Sequence, residues 1–236
     1  MEEIRKILSY PDRRIKPAVL IMLSSGGRVG LFDYLRYGDI SPVRNEMGNV
    51  MAAKIRIYAG CDGEYESFIT PEAYYSVEEY IKFRKGRGEN ISAESPVLRD
   101  LFVPDHLGRG RIELPKPFRS DLVRHLVDDA LKASGVRGRK LETGKRRHEF
   151  QPDHGFRKYF NTVCDHHMKT LYVEFLLGHD TGLKESYNRA QESELLAEYL
   201  KVVPELTVSV GGGGGQKFLK VSAQKLAPQP MRHSLH

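Results

Sequence analysis

Long apolar runs, cysteines and internal repeats are scarce or missing in this chain of 236 residues. No apolar stretch approaches the roughly 20 residues that a membrane-spanning helix needs, so the composition excludes a membrane protein built on such helices. Cys61 and Cys164 are the two cysteines; they cannot make a disulfide framework and suit a reducing compartment. The N-terminus, MEEIRKILSYPDRR, is charged and starts like a helix, so it does not read as a signal peptide. These absences point to a cytoplasmic protein. The chain is long enough for one large or two small domains with a real core.

Charge is the first positive feature. There are 37 Lys+Arg against 31 Asp+Glu, a net charge of +6. The excess is modest, and it favours a polyanionic partner.

Along the chain the first third reads as helical. EEIRKILSY forms a short amphipathic helix that stops before Pro11. KPAVLIMLSSGG, opened by Pro17, is apolar enough to be a buried helix, and Gly26-Gly27 ends it. VGLFDYLRYG is a further short helix. From Asn49 to Ala59 the pattern changes to alternation: Val50, Ala52, Lys54, Arg56 and Tyr58 on one face, Met51, Ala53, Ile55 and Ile57 on the other. With the turn CDGE and the strand YESFIT, this predicts a hairpin with one buried and one wet face. Thr70-Pro71 caps and opens the next helix, which ends at Gly86. Residues 86 to 119 are rich in Gly, Pro and Arg and give little periodic signal. A helix starts at Ser120 and stops at Gly135, and a basic loop, RGRKLETGKRRH, follows. Two helices carry the next motif, and QESELLAEYLKVV is the last. Gly211 to Gly215 read as a flexible linker, with a basic tail lacking core-forming periodicity after it. The expected organisation is therefore an ordered domain over residues 1–206 and a Gly-rich linker with a disordered tail over 207–236.

The span HGFRKYFNTVCDHHMKTLYVEFLLGHDTGLKESY, from His154 to Tyr187, is the most informative. It holds a His-x-x-Arg pair, His154 and Arg157, then Gly178-His179, then Tyr187, the eighth residue after that histidine. Breaking a DNA phosphodiester with a tyrosine needs three things: an in-line nucleophile, positive charge on the non-bridging oxygens, and a proton for the leaving 5′-oxygen. A free tyrosine has a pKa of about 10, so a base or positive neighbours must activate it. Arginine clamps a phosphate well, because its planar fork matches the anion and never loses its charge. On a helix His154 and Arg157 reach the same side, where the histidine can act as general base. His179 follows an apolar helix and can donate a further hydrogen bond. Each feature alone is commonplace: Gly-His after a helix is usually a C-cap, and most tyrosines are packed amphipathic side chains. The ordered set is what carries weight.

That set resembles the C-terminal half of the catalytic domain of the tyrosine recombinase, or phage integrase, family: His/Lys-x-x-Arg, then Leu-Leu-Gly-His, then the nucleophilic tyrosine about two turns later. RHEFQPDHGFRKYF and ESYNRAQESELLAEYLK are most similar to the archaeal-type integrases. The resemblance covers roughly residues 1 to 206. It implies an α+β, mostly helical fold with a small antiparallel sheet, and a site made of Arg28, Lys54, His154, Arg157, His179 and Tyr187. Arg28 comes from SSGGRVGLFDYLRYGDI, the counterpart of the family's first catalytic arginine. The chain departs from the family in two places. The acidic residue common three positions after that arginine is replaced by Leu31, with Asp33 nearby. The hairpin turn, CDGE, also lacks the family's lysine, which leaves Lys54 as the hairpin lysine and the expected acid.

The resemblance further implies double-stranded DNA as partner, self-association as a tetramer on DNA, and no cofactor and no metal. Cys164, His166 and His167 are spaced too unevenly on one helix to converge on a metal that wants four ligands. Arg109, Arg111 and the basic loop are candidate phosphate contacts. The apolar stripe Leu195, Leu196, Tyr199, Leu200 and Val203 has two readings: packing on the chain's own core, or docking on a neighbouring protomer. Family members usually carry an N-terminal helical clamp, whereas this chain starts at the counterpart of the first catalytic helix. Weaker and more salt-dependent DNA binding is expected in consequence. Two other functions fit parts of the pattern: DNA relaxation like that of type IB topoisomerases, and DNA binding without chemistry.

Overall fold

The computed structural model describes residues 1–100, 116–136, 152–180 and 189–209, with backbone alone at 152, 153 and 189–191. Tyr187, Arg109, Arg111, the loop 137–148 and the five glycines with their tail lie outside the described residues. The fold grows around one helix. α1 (Glu2–Leu8) leads into α2 (Ile15–Ser25), in which every residue but Lys16 is buried. A helix that is apolar all round can only be a core helix, and α2 touches α1, α3, α4, α5, α7 and the sheet. It begins two residues before Pro17, so the proline occupies the first turn, where its missing N–H costs no hydrogen bond.

The segment after α2 forms two 3-10 turns, Val29–Asp33 and Tyr37–Asp39, rather than the single short helix that the sequence suggests. A three-stranded antiparallel sheet of order β1-β2-β3 follows: β1 (Ile40–Arg44), β2 (Val50–Ile57) and β3 (Tyr65–Ile69). β2 and β3 are the expected hairpin, in a register that sets Lys54 opposite Phe68 and Ile57 opposite Tyr65. β1 is an unexpected addition on the β2 edge.

The alternation along β2 is real, but its second face is not wholly wet. Ala53, Ile55 and Ile57 join a cluster with α1 to α4. Ala52 and Phe68 face a second cluster made by α5 (Pro152–His167), α6 (Thr170–Leu176) and α7 (Arg189–Leu206). The sheet therefore has a core on each side, and Lys54 lies where the second one thins towards solvent.

α3 (Pro71–Gly86) starts where its cap demands: the Thr70 hydroxyl accepts from the Ala73 N–H at 3.3 Å. α4 (Ser120–Ala133) is capped from a distance, because Asp33 accepts from both the backbone N–H (2.9 Å) and the hydroxyl (2.8 Å) of Ser120. Of the α7 stripe, Leu195, Tyr199 and Val203 are buried in the chain's own second core, with Leu196 and Leu200 packed against it. The Tyr199 hydroxyl donates to the Ser24 carbonyl at 2.8 Å and ties α7 to the end of α2. The stripe thus packs largely in cis, on the chain's own second core. The ordered body continues through residues 207–209, where the Val208 N–H donates to Glu72 and its carbonyl accepts from Arg5. Among the described residues no helix is long and apolar enough to cross a membrane.

Candidate active site

The site forms where two helices end. α2 stops at Gly26, whose φ of +65° is the left-handed conformation that glycine adopts without strain. A side chain there would also strike Phe160 of α5, 2.5 Å from an added Cβ. α6 ends in a Schellman motif: the Gly178 N–H donates to the Phe175 carbonyl and the His179 N–H to the Glu174 carbonyl, both at 3.0 Å. Both helix ends leave carbonyls unpaired within the helix.

Arg157 of α5 takes up these carbonyls, donating to Gly26 O at 2.7 Å and Leu177 O at 2.9 Å. A helix C-terminus carries partial negative charge, so two of them cradle the guanidinium. It is only 8% exposed, and among the described residues no carboxylate pairs with it. Burial pulls its pKa below the usual arginine range; nearby Tyr65 opposes that fall and nearby Arg28 adds to it. The cation is positioned and partly desolvated.

His179 completes the arrangement. Its Nε2 lies 2.8 Å from an Arg157 amine and its Nδ1 2.5 Å from the Glu174 carboxylate. Arginine can only donate, so Nε2 accepts and the ring proton sits on Nδ1, donating to Glu174. The turn that ends α6 thus fixes the imidazole as well as the backbone. Arg28 is exposed just past α2, at the start of the first 3-10 turn. It acts electrostatically on Arg157, Tyr58 and Tyr65. His154 is exposed on the first turn of α5, one turn before Arg157.

Lys54 sits in mid-strand, its Nζ 3.1 Å from Glu66 of β3 and 3.1 Å from Glu192 of α7. Burial opposes its charge, but the two carboxylates outweigh that and hold its pKa above the ordinary lysine value. A cavity of about 290 Å³ lies between β3, α6 and α7, with Tyr65 and His179 on its lining alongside Glu66 and Glu192.

Two tyrosines join the site without having been singled out in the sequence. The charge of Arg157 acts on the Tyr65 hydroxyl and opposes the upward push of burial on its pKa. Its ring presses on Gly178, where an added Cβ would come within 2.5 Å. Tyr58 lies beside it at a tilt, ring centroids 6.2 Å apart, with a φ of +58° that is unusual for a tyrosine. The sequence signal for both was their place around the hairpin turn, which is polar-face alternation in a strand and nothing more specific.

The Cys164, His166 and His167 group disperses. Cys164 is buried among Phe160 and Tyr199, and burial pushes its thiol up to about 12, while His167 pairs with Glu205 at 2.7 Å. Among the described residues no cluster of three His, Cys, Asp or Glu could hold a metal ion.

No family model matches the chain, and no curated protein matches it in sequence. Solved structures do match its fold. The XerH site-specific recombinase, bound to its difH substrate in a pre-cleavage complex, aligns over 82% of this chain and 49% of its own at 13% identity, with a TM-score of 0.53. XerA recombinase aligns over 84% of this chain and 63% of its own at 14% identity, with a TM-score of 0.51. The architecture is therefore that of tyrosine recombinase catalytic domains. The chain spans about half to two thirds of the length of these proteins.

Proposed function

We propose that this chain is a catalytic domain for site-specific DNA recombination through a tyrosine nucleophile, of the archaeal-type branch that its motif spelling resembles. The observation that carries the reading is Arg157: a buried guanidinium, anchored on two helix ends, with a second arginine near it and no carboxylate among the described residues to neutralise it. Holding two such cations together is unfavourable until an anion sits between them. A DNA phosphate is an anion that Arg28 and Arg157 can clamp at both non-bridging oxygens, stabilising charge in the transition state.

In this reading Tyr187 attacks the phosphorus and His154 takes its proton. His179, its tautomer set by Glu174, steadies Arg157 and the phosphate. A 3′-phosphotyrosyl link and a free 5′-hydroxyl result. The link retains the energy of the phosphodiester, so rejoining requires no ATP or metal. The leaving oxygen takes its proton from the hairpin, where the family resemblance selects Lys54. On DNA the protein is proposed to work as a tetramer.

The test uses nicked duplexes with randomised sequence, from which covalently captured species are selected and sequenced. The wild-type chain is expected to form a denaturant-resistant adduct at a preferred sequence, and Tyr187→Phe to form none. An adduct that persists in Tyr187→Phe sinks the reading. Supercoil relaxation without sequence preference would favour the topoisomerase-like alternative instead.

A further inference from the structure

Resting on that reading, we infer that the proton for the leaving 5′-oxygen comes from the hydroxyl of Tyr65, at the start of β3, rather than from Lys54. Three observations lead there. The turn between β2 and β3, residues 58–64, has no lysine. Lys54 is held by two carboxylates, Glu66 and Glu192, at 3.1 Å each. Delivering a proton from it would require breaking both ion pairs and carrying those carboxylates' neighbour towards a phosphate they repel.

Tyr65 is already in place. Its ring is seated on the Gly178 backbone, next to His179, so its position is fixed by the same turn that aims the imidazole. Its ring lies on the turn whose Leu177 carbonyl anchors Arg157, the group that would hold the phosphate, and the charges of Arg157 and Arg28 both act on its hydroxyl. Tyr58 packs on its other flank and Tyr34 on Tyr58, with centroids 6.2 Å and 5.6 Å apart.

The chemistry balances. As the bond from Tyr187 Oη to phosphorus forms, the Tyr187 proton passes to His154. The P–O5′ bond breaks, its electron pair stays on O5′, and O5′ takes the proton from Tyr65 Oη. The Tyr65 phenolate is stabilised by Arg157 and Arg28. In rejoining, the attacking 5′-hydroxyl returns a proton to Tyr65. In water a phenol, at about 10, is close in acid strength to an ammonium, at about 10.4, so a tyrosine is a competent proton donor where the family has a lysine. Burial pushes the Tyr65 pKa up, with Arg157 and Arg28 pulling it partly back, so the group stays protonated before cleavage, as a donor must.

The experiment compares two leaving groups on the duplex recovered by covalent selection: the ordinary 5′-oxygen, and a 5′-sulfur at the scissile position. A thiol is a far stronger acid than an alcohol, with a pKa of about 8.5, so a thiolate departs without help. Tyr65→Phe keeps the ring on Gly178, and its melting temperature checks the fold. It is expected to cleave the oxygen substrate about 100-fold or more slowly and the sulfur substrate at close to the wild-type rate. Lys54→Ala is expected to show no such rescue.

Equal losses for Tyr65→Phe on both substrates, or none on either, would overturn the inference, as would sulfur rescue of Lys54→Ala. A wild-type chain that forms no adduct on either duplex, or an adduct that survives Tyr187→Phe, removes the recombinase reading itself. Such a failure is distinct from failed rescue.

Discussion

Arg84 has no exposed surface, although it stands near the end of a surface helix. Its Nε donates to Glu89 at 3.0 Å, a second nitrogen pairs with the other Glu89 oxygen, and a third donates to Val97 O at 3.1 Å. Arg99 reaches the same carboxylate at 3.1 Å. Burial pushes the Glu89 pKa up, but the two arginines outweigh it and hold it below the ordinary carboxylate range. A carboxylate depressed in the folded state contributes stability that is complete above its unfolded pKa, about 4.3, and lost as pH falls through the folded value. Guanidinium unfolding at pH 7 and pH 3 is therefore expected to give a smaller difference for Glu89→Gln than for wild type. The variant should also lose about 3 kcal/mol or more at pH 7, because a buried pair is broken. Breaking this ion pair should loosen residues 86–100, which it holds to α3.

Gly178 makes a separate test at this scale. Gly178→Ala puts a Cβ in a left-handed backbone, costing about 1–2 kcal/mol, and against the Tyr65 ring as well. A lower urea midpoint is expected, together with slower cleavage, since Tyr65 and His179 both rest on that turn.

The placing of His154 one turn before Arg157, and of His179 behind the Gly178 turn, could be anticipated because each spacing is short and local. The seating of Tyr65 on Gly178 and the burial of Arg84 could not, because they depend on neighbours that the local sequence does not announce. In sequence a tyrosine opening a strand and an arginine ending a helix both look like surface residues.

Among the elements, α4 shows how a distant residue can set a helix boundary. Its expected start at Ser120 is correct, yet the cap comes from Asp33, 87 residues upstream. In the sequence Asp33 stood out as an acid near Arg28; in the structure it faces the α4 terminus. Asp33→Ala is expected to cost about 1 kcal/mol, read as a lower thermal midpoint by circular dichroism. Asp33→Asn should recover part of it, because an amide oxygen still accepts.

The hairpin and most helices were legible through alternation, caps and glycine stops. β1 was not, because Ile40–Arg44 is short, contains Pro42 and lies at the sheet edge, where proline is tolerated without a pattern to announce it. The 3-10 turns escaped for a related reason: VGLFDYLRYG has a helix-like composition, but its second residue is a glycine and most of its hydrogen bonds close three residues apart.

At the scale of the whole molecule, the mostly helical α+β architecture could be read in advance because two short stretches, each diagnostic locally, sit on a chain with enough apolar periodicity to bury both. The double core around the sheet could not, since the second face of β2 reads as polar from Lys54 onward. The proposed DNA contacts make a further expectation. Duplex affinity measured by fluorescence anisotropy should fall linearly on a log–log plot against salt. Arg28→Ala should reduce the steepness of that line, whereas Tyr65→Phe should leave it unaltered.

Arg157 is anchored to the last carbonyl of one helix and the last carbonyl of another. Adding a single residue to an α-helix advances its end by about 1.5 Å and swings it round by roughly 100°. One extra alanine in the middle of α2 would therefore turn Gly26 O away from the guanidinium while leaving every named site residue in the chain. In lineages that keep this chemistry, α2 should accept substitutions far more readily than insertions or deletions.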